Sequence, residues 1–400
     1  MLRRTNPMLY QIREWQRSML SPFVESSALA AEQLMPWPLA RPMAAWLELF
    51  HRVGKDYPRP AWALPDVTER VLVDHPFCKL THFERAGRAG DPKVLLFAPL
   101  SGHYATLLRE TVRGLLPEHD VYVTDWQNAR EVPLSAGRFG LDEYVSLSMD
   151  FMRRLGPDVH VMAVCQPTVP VLAAVSVMSA LNDPAVPRTM TLMGGPIDTR
   201  RSPTQVNTLA TERDFSWFED NLIHTVPQGF AGEGRKVYPG FLQHMAFVSM
   251  NPDRHAKSHR DFFFDLIKGD DGSAEAHRAF YDEYNAVLDL TAEFYLETVK
   301  SVFQDHDLPR NRMRVKVGGE SHRVQPASIT APALFTIEGE LDDIAGLGQS
   351  EAALELCSGI AEARKQHFVV PGAGHYGIFS GRKYREQVVP RLHAFFRQHP

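Results

Sequence analysis

The chain has 400 residues and a formal net charge of −5, with 44% hydrophobic and 23% charged residues, which is the composition of an ordinary globular protein. The acidic balance argues against a nucleic-acid partner, which would require a basic patch or stripe. No apolar run is long enough to cross a membrane, and no apolar segment follows Arg3 and Arg4 as in an export signal. We therefore expect a cytoplasmic protein without a transmembrane segment.

The cysteines are Cys78, Cys165 and Cys357, an odd number that cannot form a closed disulfide framework. Cys78 and Cys357 are interpreted as buried structural thiols, because free cysteine is among the most buried residue types. No spacing of Cys and His suggests zinc ligands, and we expect no metal and no other cofactor.

In chain order, residues 1–75 are predicted to form a helical N-terminal extension that prolines interrupt. A core of alternating strands and helices follows over residues 76–196 and returns over residues 331–400, which indicates an α/β fold with a mostly parallel sheet. Residues 78–83 alternate as in an antiparallel strand, whereas buried strands are predicted at 94–98, 121–126, 159–164, 189–193, 333–337 and 366–370.

The strand at 159–164 ends at Cys165, and an Ala- and Val-rich helix follows Pro167. A sharp strand-to-helix turn at Cys165 is expected to lift the thiol above the sheet. The thiol then lies beside the free N–H groups at the start of the helix, as in a nucleophile elbow. The pattern departs from G-x-S-x-G, because Ala163 and Pro167 stand at the two glycine positions.

The loop after strand 94–98 supplies a second oxyanion donor in such proteins. The predicted oxyanion donors are therefore the backbone amides of Gln166 and of Leu100 or Ser101. His103, in the first turn of the next helix, is interpreted as a loop or substrate-side contact rather than as the catalytic base.

Between residues 197 and 330 the strand–helix alternation stops, and helical patterns predict a lid whose longest helix spans Ala279–Phe303. This insertion is rich in aromatic residues, and an apolar surface around a site often marks a binding region. We expect some of the following residues to line the entrance to Cys165: Phe215, Trp217, Phe218, Tyr238 and Phe241.

After the strand at 333–337 comes an acidic turn, in which G-x-x-D spacing favours Asp342 and leaves Asp343 as the less favoured alternative. His375 lies in a glycine-flanked loop after the last strand. The order nucleophile, acid, histidine is that of the α/β-hydrolase fold. We therefore predict a Cys165–Asp342–His375 triad.

The sequence resembles the bacterial intracellular poly(3-hydroxybutyrate) depolymerases over nearly its whole length. Six segments carry the resemblance: Ala98–His103, Cys165–Pro170, Met193–Asp198, Tyr238–Phe241, Glu338–Asp343 and Gly374–Gly381. The resemblance implies an α/β-hydrolase fold, a cysteine nucleophile and binding to cytoplasmic polymer granules. It also accounts for Pro167, because Cys-Gln-Pro is the form of the turn in that family.

The implied activity is hydrolysis of the storage polymer to 3-hydroxybutyrate oligomers and monomers through a thioester, by an enzyme that is a possible homo-oligomer. Three alternatives stay open: a polyhydroxyalkanoate synthase-like acyltransferase, a non-catalytic granule-binding protein, and a cysteine hydrolase of another substrate such as a thioesterase. The synthase elbow, G-x-C-x-G, does not match Ala163 and Pro167. A pure binding protein would have no use for a triad.

Overall fold

The computed structural model describes residues 10–12, 14, 37–55, 57–88, 90–250 and 252–400. The strands are β1 (Thr68–His75), β2 (Cys78–Glu84), β3 (Lys93–Phe97), β4 (Asp120–Trp126), β5 (Val159–Val164), β6 (Thr189–Met193), β7 (His224–Thr225), β8 (Lys236–Tyr238), β9 (Leu290–Thr291), β10 (Arg314–Val317), β11 (Glu320–Arg323), β12 (Ala333–Gly339) and β13 (Lys365–Val370).

The helices are α1 (Trp37–Gly54), α2 (Arg109–Leu115), α3 (Leu141–Leu155), α4 (Thr168–Ala180), α5 (Gln205–Glu212), α6 (Phe215–Leu222), α7 (Gly240–Met250), α8 (Pro252–Lys268), α9 (Asp271–Tyr284), α10 (Ala292–Thr298), α11 (Ala352–Leu356), α12 (Gly381–Lys383) and α13 (Val389–Gln398). Within the described ranges, none of these helices has the length and apolar character that crossing a bilayer requires.

An eight-stranded sheet with the order β1-β2-β4-β3-β5-β6-β12-β13 forms the centre of the molecule. β2 pairs antiparallel with both β1 and β4, and every later pairing in this sheet is parallel. The parallel strands bring their carboxyl ends to one edge, where sites form in open α/β sheets. The predicted α/β-hydrolase fold, with a mostly parallel sheet, is confirmed.

The middle of the sheet is apolar on both faces because helices cover it. All side chains of β5 and β6 are buried, and α4 is buried from Thr168 to Met178. Full burial of one such aliphatic side chain contributes about 1.5–3 kcal/mol. The strand that leads to Cys165 is thus anchored in the buried core.

The sheet begins at β1, before the predicted core boundary at residue 76. β1 is an edge strand whose first four side chains are exposed, so its sequence lacks the apolar alternation by which strands are recognised. Of the predicted extension over residues 1–75, the described part includes α1, which contacts the insertion through an Arg52–Asp282 ion pair at 2.8 Å. Residues 1–9, 13, 15–36 and 56 of that prediction lie outside the described residues.

The insertion between residues 197 and 330 contains strands as well as helices. β7, β8 and β9 form a small sheet, and β10 and β11 form a hairpin. The helix predicted over Ala279–Phe303 is divided, because α9 ends at Tyr284 and β9 separates it from α10.

Backbone contacts to the core account for this division. The Leu288 amide donates to the Gly102 carbonyl at 2.7 Å, and Val287 forms a β-bridge with His103. The insertion is thereby fixed on the loop that follows β3, and helical periodicity alone could not reveal these tertiary bonds.

Candidate active site

Cys165 lies on the predicted strand-to-helix turn between β5 and α4. Its φ of +67° is unusual for a non-glycine residue, and such backbone strain is found at nucleophile elbows. The Cys165 amide donates to the Met193 carbonyl at 2.7 Å, which attaches the turn to the end of β6. The Thr168 hydroxyl donates to the Cys165 carbonyl at 2.9 Å and closes the turn from the helix side.

Two glycines after β6 allow the chain to pass close to this turn. A Cβ on Gly195 would lie 1.9 Å from Thr168 Oγ1 and 2.6 Å from the Cys165 carbonyl oxygen. Gly194 has a φ of +53°, and a Cβ there would lie 3.4 Å from both Asp342 Oδ2 and His375 Cε1. The chain after β6 therefore passes close to both the elbow and the acid–histidine pair.

Asp342 and His375 are brought together by the turns after β12 and β13. His375 Nδ1 lies 2.8 Å from Asp342 Oδ2, and the Asp342 side chain is fully buried. The other carboxylate oxygen, Oδ1, accepts from the amides of Ile344 and Ala345, each at 2.9 Å. The neighbouring Asp343 is exposed. Of the two adjacent acids, Asp342 is the one that orients the histidine.

His375 is buried between an acid and a thiol. Burial lowers its pKa, but the Asp342 carboxylate and the neighbouring Cys165 sulfur together raise that pKa well above the ordinary value. These interactions favour an imidazolium that faces Asp342 on one side and Cys165 on the other. The three predicted triad side chains are therefore in contact in the order Asp342, His375, Cys165.

The amides predicted as oxyanion donors border the same space. Leu100, Ser101, Gln166 and Cys165 all line one cavity. Among the described residues, the N–H groups of Leu100, Ser101 and Gln166 have no hydrogen-bond acceptor. Free amides beside a reactive side chain can bind a developing negative charge.

The cavity beside Cys165 has a volume of about 190 Å³ and a mostly apolar wall. The insertion contributes apolar and aromatic side chains from β9, α7, α10 and the segment after it, and the His375 loop contributes two aromatic rings. The main apolar side chains are Phe247, Leu290, Phe294, Tyr295, Phe303, Tyr376 and Phe379. Such a lining suits an uncharged, largely apolar acyl group.

His103 lines this cavity, at the side where the insertion contacts the core. Its Nε2 lies 3.1 Å from the Tyr284 carbonyl oxygen, and the side chain is 2% exposed. Burial and the nearby His244 lower the pKa of His103 to about 4. His103 is therefore a neutral imidazole that joins the β3 loop to the end of α9.

The five aromatic residues predicted to line the entrance lie elsewhere. Phe215 borders a separate surface depression with Arg213 and Lys300. Trp217 and Phe218 pack on each other with ring centroids 5.2 Å apart, and Phe218 is buried.

Tyr238 and Phe241 pack behind the cavity wall rather than in it. Tyr238 lies behind Tyr295, with ring centroids 4.1 Å apart, whereas Phe241 packs on Tyr10 at 5.7 Å. Tyr238 therefore packs within the insertion, whereas Phe241 packs on the N-terminal extension.

The residues that do line the cavity carried only a weak signal in the sequence. Tyr295 lies within the predicted helix Ala279–Phe303, where apolar residues at helical spacing more often pack on a core. Phe303 ends the same segment. Only the break at β9, which turns α10 towards Cys165, brings these side chains to the site.

A group that could hold a metal ion lies away from Cys165, beside β12 and β13. Glu338, Glu351 and His367 place ligand atoms within 4.8 Å of one another. The buried Glu338 carboxylate accepts from the amides of Ser350 at 2.7 Å and Gly348 at 2.8 Å. These bonds give the Glu338 carboxylate a structural role, because they fix the turn that follows the Asp342 loop.

The chain is similar, at low sequence identity, to several solved structures. A hydrolase of 2-hydroxy-6-oxo-6-phenylhexa-2,4-dienoate from Rhodococcus is 12% identical, with a TM-score of 0.45 and coverage of 83% of this chain and 99% of that chain. A thermophilic esterase from Thermogutta terrifontis is 14% identical, with a TM-score of 0.44 and coverage of 84% and 99%. No curated protein matches the chain.

A family model supplies the assignment that these distant structures do not. The model described as the PHB depolymerase C-terminus matches residues 194–400, which contain the glycines after β6, the insertion, Asp342 and His375. Because this match covers more than half of the 400 residues, the chain belongs to the PHB depolymerase family and is a hydrolase of ester bonds.

Proposed function

We propose that this protein is an intracellular depolymerase that hydrolyses the ester bonds of poly(3-hydroxybutyrate) through Cys165, His375 and Asp342. One observation carries the proposal: Asp342, His375 and Cys165 lie next to one another in that order, beside an apolar cavity that free backbone amides border. The family assignment supports the polyester as the substrate. No metal or organic cofactor enters the chemistry.

In the first half-reaction, Cys165 Sγ attacks the carbonyl carbon of a polymer ester. The raised pKa of His375, which its two neighbours cause, makes the imidazole a strong base that accepts the thiol proton as the sulfur attacks. The amides of Gln166 and of Leu100 or Ser101 bind the oxyanion of the tetrahedral intermediate. The ester C–O bond then breaks, and His375 donates its proton to the leaving alkoxide, which yields an alcohol-ended chain and a thioester on Cys165.

In the second half-reaction, water attacks the thioester. His375, now neutral, accepts a proton from that water, and Asp342 stabilises the imidazolium that forms again. The C–S bond breaks, the Cys165 sulfur takes a proton back from His375, and the acyl unit leaves as a carboxylic acid. The products are 3-hydroxybutyrate or its short oligomers.

The polymer is stored as granules, so we propose that the protein works at the granule surface in the cytoplasm. An apolar cavity beside Cys165 is consistent with an aliphatic polyester chain that leaves the polymer phase and enters the site. The three triad residues belong to one protein chain, so the proposed chemistry requires no second copy.

Hydrolysis of amorphous polymer granules tests this proposal. Purified wild-type protein should release 3-hydroxybutyrate, and Cys165→Ala should release less than about one thousandth as much while remaining folded. A parallel incubation with hydroxybutyryl-CoA distinguishes the acyltransferase alternative. Polymer formation from that thioester without granule hydrolysis would contradict the proposal, as would granule binding without any release of acid.

A further inference from the structure

Two side-chain amides in the Cys165 cavity have buried oxygens without partners. Gln243, from α7, and Gln166, directly after Cys165, both line the cavity. In the part of the chain that the structure describes, neither Oε1 atom has a hydrogen-bond donor, and the Gln243 side chain is more than nine-tenths buried. Buried carbonyl oxygens usually have a donor, because an unsatisfied one costs about 1–3 kcal/mol.

The orientation of the Gln243 amide follows from its neighbour. Its Nε2 donates to the Ser101 carbonyl oxygen, which can only accept. A flipped amide would place two acceptors against each other, so the oxygen must be the free end. That oxygen lies so close to Gly102 that a Cβ there would approach it to 2.5 Å. The free acceptor is therefore fixed beside the loop that supplies the oxyanion amides.

The substrate chemistry limits what could pair with these oxygens. Every interior unit of a poly(3-hydroxyalkanoate) carries only ester and carbonyl oxygens, which are acceptors. The carboxyl end is ionised and is also an acceptor. The hydroxyl group at the other end of the chain is the one donor that the polyester offers.

Resting on the proposed function, we propose that the Cys165 cavity binds the hydroxyl-terminal 3-hydroxyacyl unit, whose hydroxyl donates to Gln243 and Gln166, so that units are removed from the hydroxyl end. Both amides flank the place where the reacting carbonyl must lie, since Gln166 follows Cys165 and Gln243 holds Ser101. The β-hydroxyl stands on the second carbon beyond that carbonyl, which is within reach of this position. The apolar wall accepts the methyl group on the same carbon.

Two dimers that differ by one hydroxyl group test this inference. In 3-(3-hydroxybutyryloxy)butyrate the acyl unit carries the hydroxyl, and in 3-(butyryloxy)butyrate it does not. For the wild type, kcat/KM should be at least about tenfold higher on the hydroxylated dimer, because the analogue leaves buried acceptors unpaired. Acetylation of the terminal hydroxyl should slow hydrolysis at least as much.

The variants Gln243→Leu and Gln166→Leu should bring the ratio of the two kcat/KM values towards one. Loss of the Gln243 bond to Ser101 also weakens the oxyanion loop, but that loss lowers both values and leaves their ratio unaffected. Gln398→Leu, on the exposed end of α13, is the matched control and should retain the wild-type ratio. A solely structural role for the two amides would reduce rates without changing the ratio.

The outcomes separate this inference from the function beneath it. Equal hydrolysis of both dimers by the wild type would overturn hydroxyl recognition while leaving the esterase proposal intact, and would mean that water satisfies the two amides. An unchanged ratio in both glutamine variants would also overturn it. No turnover of either dimer or of polymer would overturn the proposed function, and the inference with it.

Discussion

At the scale of single residues, the site is defined by which of two adjacent acids contacts the histidine. The Asp342 carboxylate uses one oxygen for His375 and the other for two backbone amides, whereas Asp343 is exposed one position later. Two backbone donors hold the carboxylate in a single orientation. That constraint is what a triad acid needs, because it must select one tautomer of the histidine.

Replacing each acid separately tests this assignment. Asp342→Asn should lower kcat on a soluble hydroxybutyrate ester by about three to four orders of magnitude, since the amide would favour the wrong tautomer of His375. Asp343→Asn is the matched control and should stay within a few-fold of wild type. Steady-state rates at one pH suffice, and a larger loss in Asp343→Asn than in Asp342→Asn would reverse the assignment.

At the scale of elements, the elbow depends on a close approach between the end of β6 and the start of α4. No side chain fits at Gly195, because a Cβ there would overlap Thr168 and the Cys165 carbonyl. The insertion is attached to the same region through Leu288 and Gly102. Precise placement of the thiol is therefore a property of packed backbone segments and not of the cysteine alone.

Gly195→Ala should displace the elbow. We expect kcat to fall by at least about tenfold and the free energy of unfolding to fall by about 1–3 kcal/mol, as for other overpacked sites. Gly272→Ala in α9 is the control, since the nearest atom to its Cβ would lie 3.7 Å away. Denaturant midpoints and esterase rates of the two variants give the comparison, and equal behaviour would argue against a tightly packed elbow.

Individual strands and helices differ in how well the sequence predicts them. The apolar pattern of the sequence predicts the buried strands β5 and β6 and the helix α3. Each of these elements packs its apolar side chains at the regular spacing of its own secondary structure. The order of strand ends likewise predicts which residues meet at the Cys165 site. The break before α10 could not be predicted, because it depends on hydrogen bonds to Gly102 and His103, which are distant in sequence.

The cavity wall was less predictable than the triad for the same reason. Aromatic residues such as Trp217 and Tyr295 look alike in the sequence, and only the path of the backbone decides which ring packs inwards and which faces the site. Hydrogen-bonding chemistry constrains a triad much more than apolar packing constrains a pocket.

At the scale of the whole molecule, buried histidines link folding to pH. His103, His119 and His160 are nearly inaccessible, and burial first, with neighbouring histidines second, lowers the pKa of each to about 4. In the unfolded chain each would titrate near pH 6.5. Between these values the unfolded state binds more protons, so stability is complete above pH 6.5 and is lost as the pH falls towards 4.

We therefore expect the free energy of unfolding to be lower at pH 5 than at pH 7.5, with a contribution on the order of 2 kcal/mol from each of the three histidines. His375 acts in the opposite direction above about pH 6.5, because its raised pKa gives stability that is complete below that pH and is lost as the pH rises, so it offsets part of this difference.

Guanidinium titrations at the two pH values measure this difference. His160→Asn can keep a bond to Thr189 without titrating, so it should show a smaller loss at pH 5 than the wild type. His322→Asn, in β11, is the control and should lose as much as the wild type. Identical midpoints at both pH values for the wild type would contradict the burial argument.

The central claim is that ester cleavage proceeds through a covalent bond to Cys165 Sγ. The most direct measurement is intact-protein mass spectrometry after an acid quench, with a hydroxybutyrate oligomer as substrate and peptide mapping of any adduct. The account predicts a 3-hydroxyacyl adduct on the Cys165 peptide that hydroxylamine removes and that Cys165→Ala lacks. An adduct on another residue, or hydrolysis by Cys165→Ala within tenfold of the wild-type rate, would contradict it.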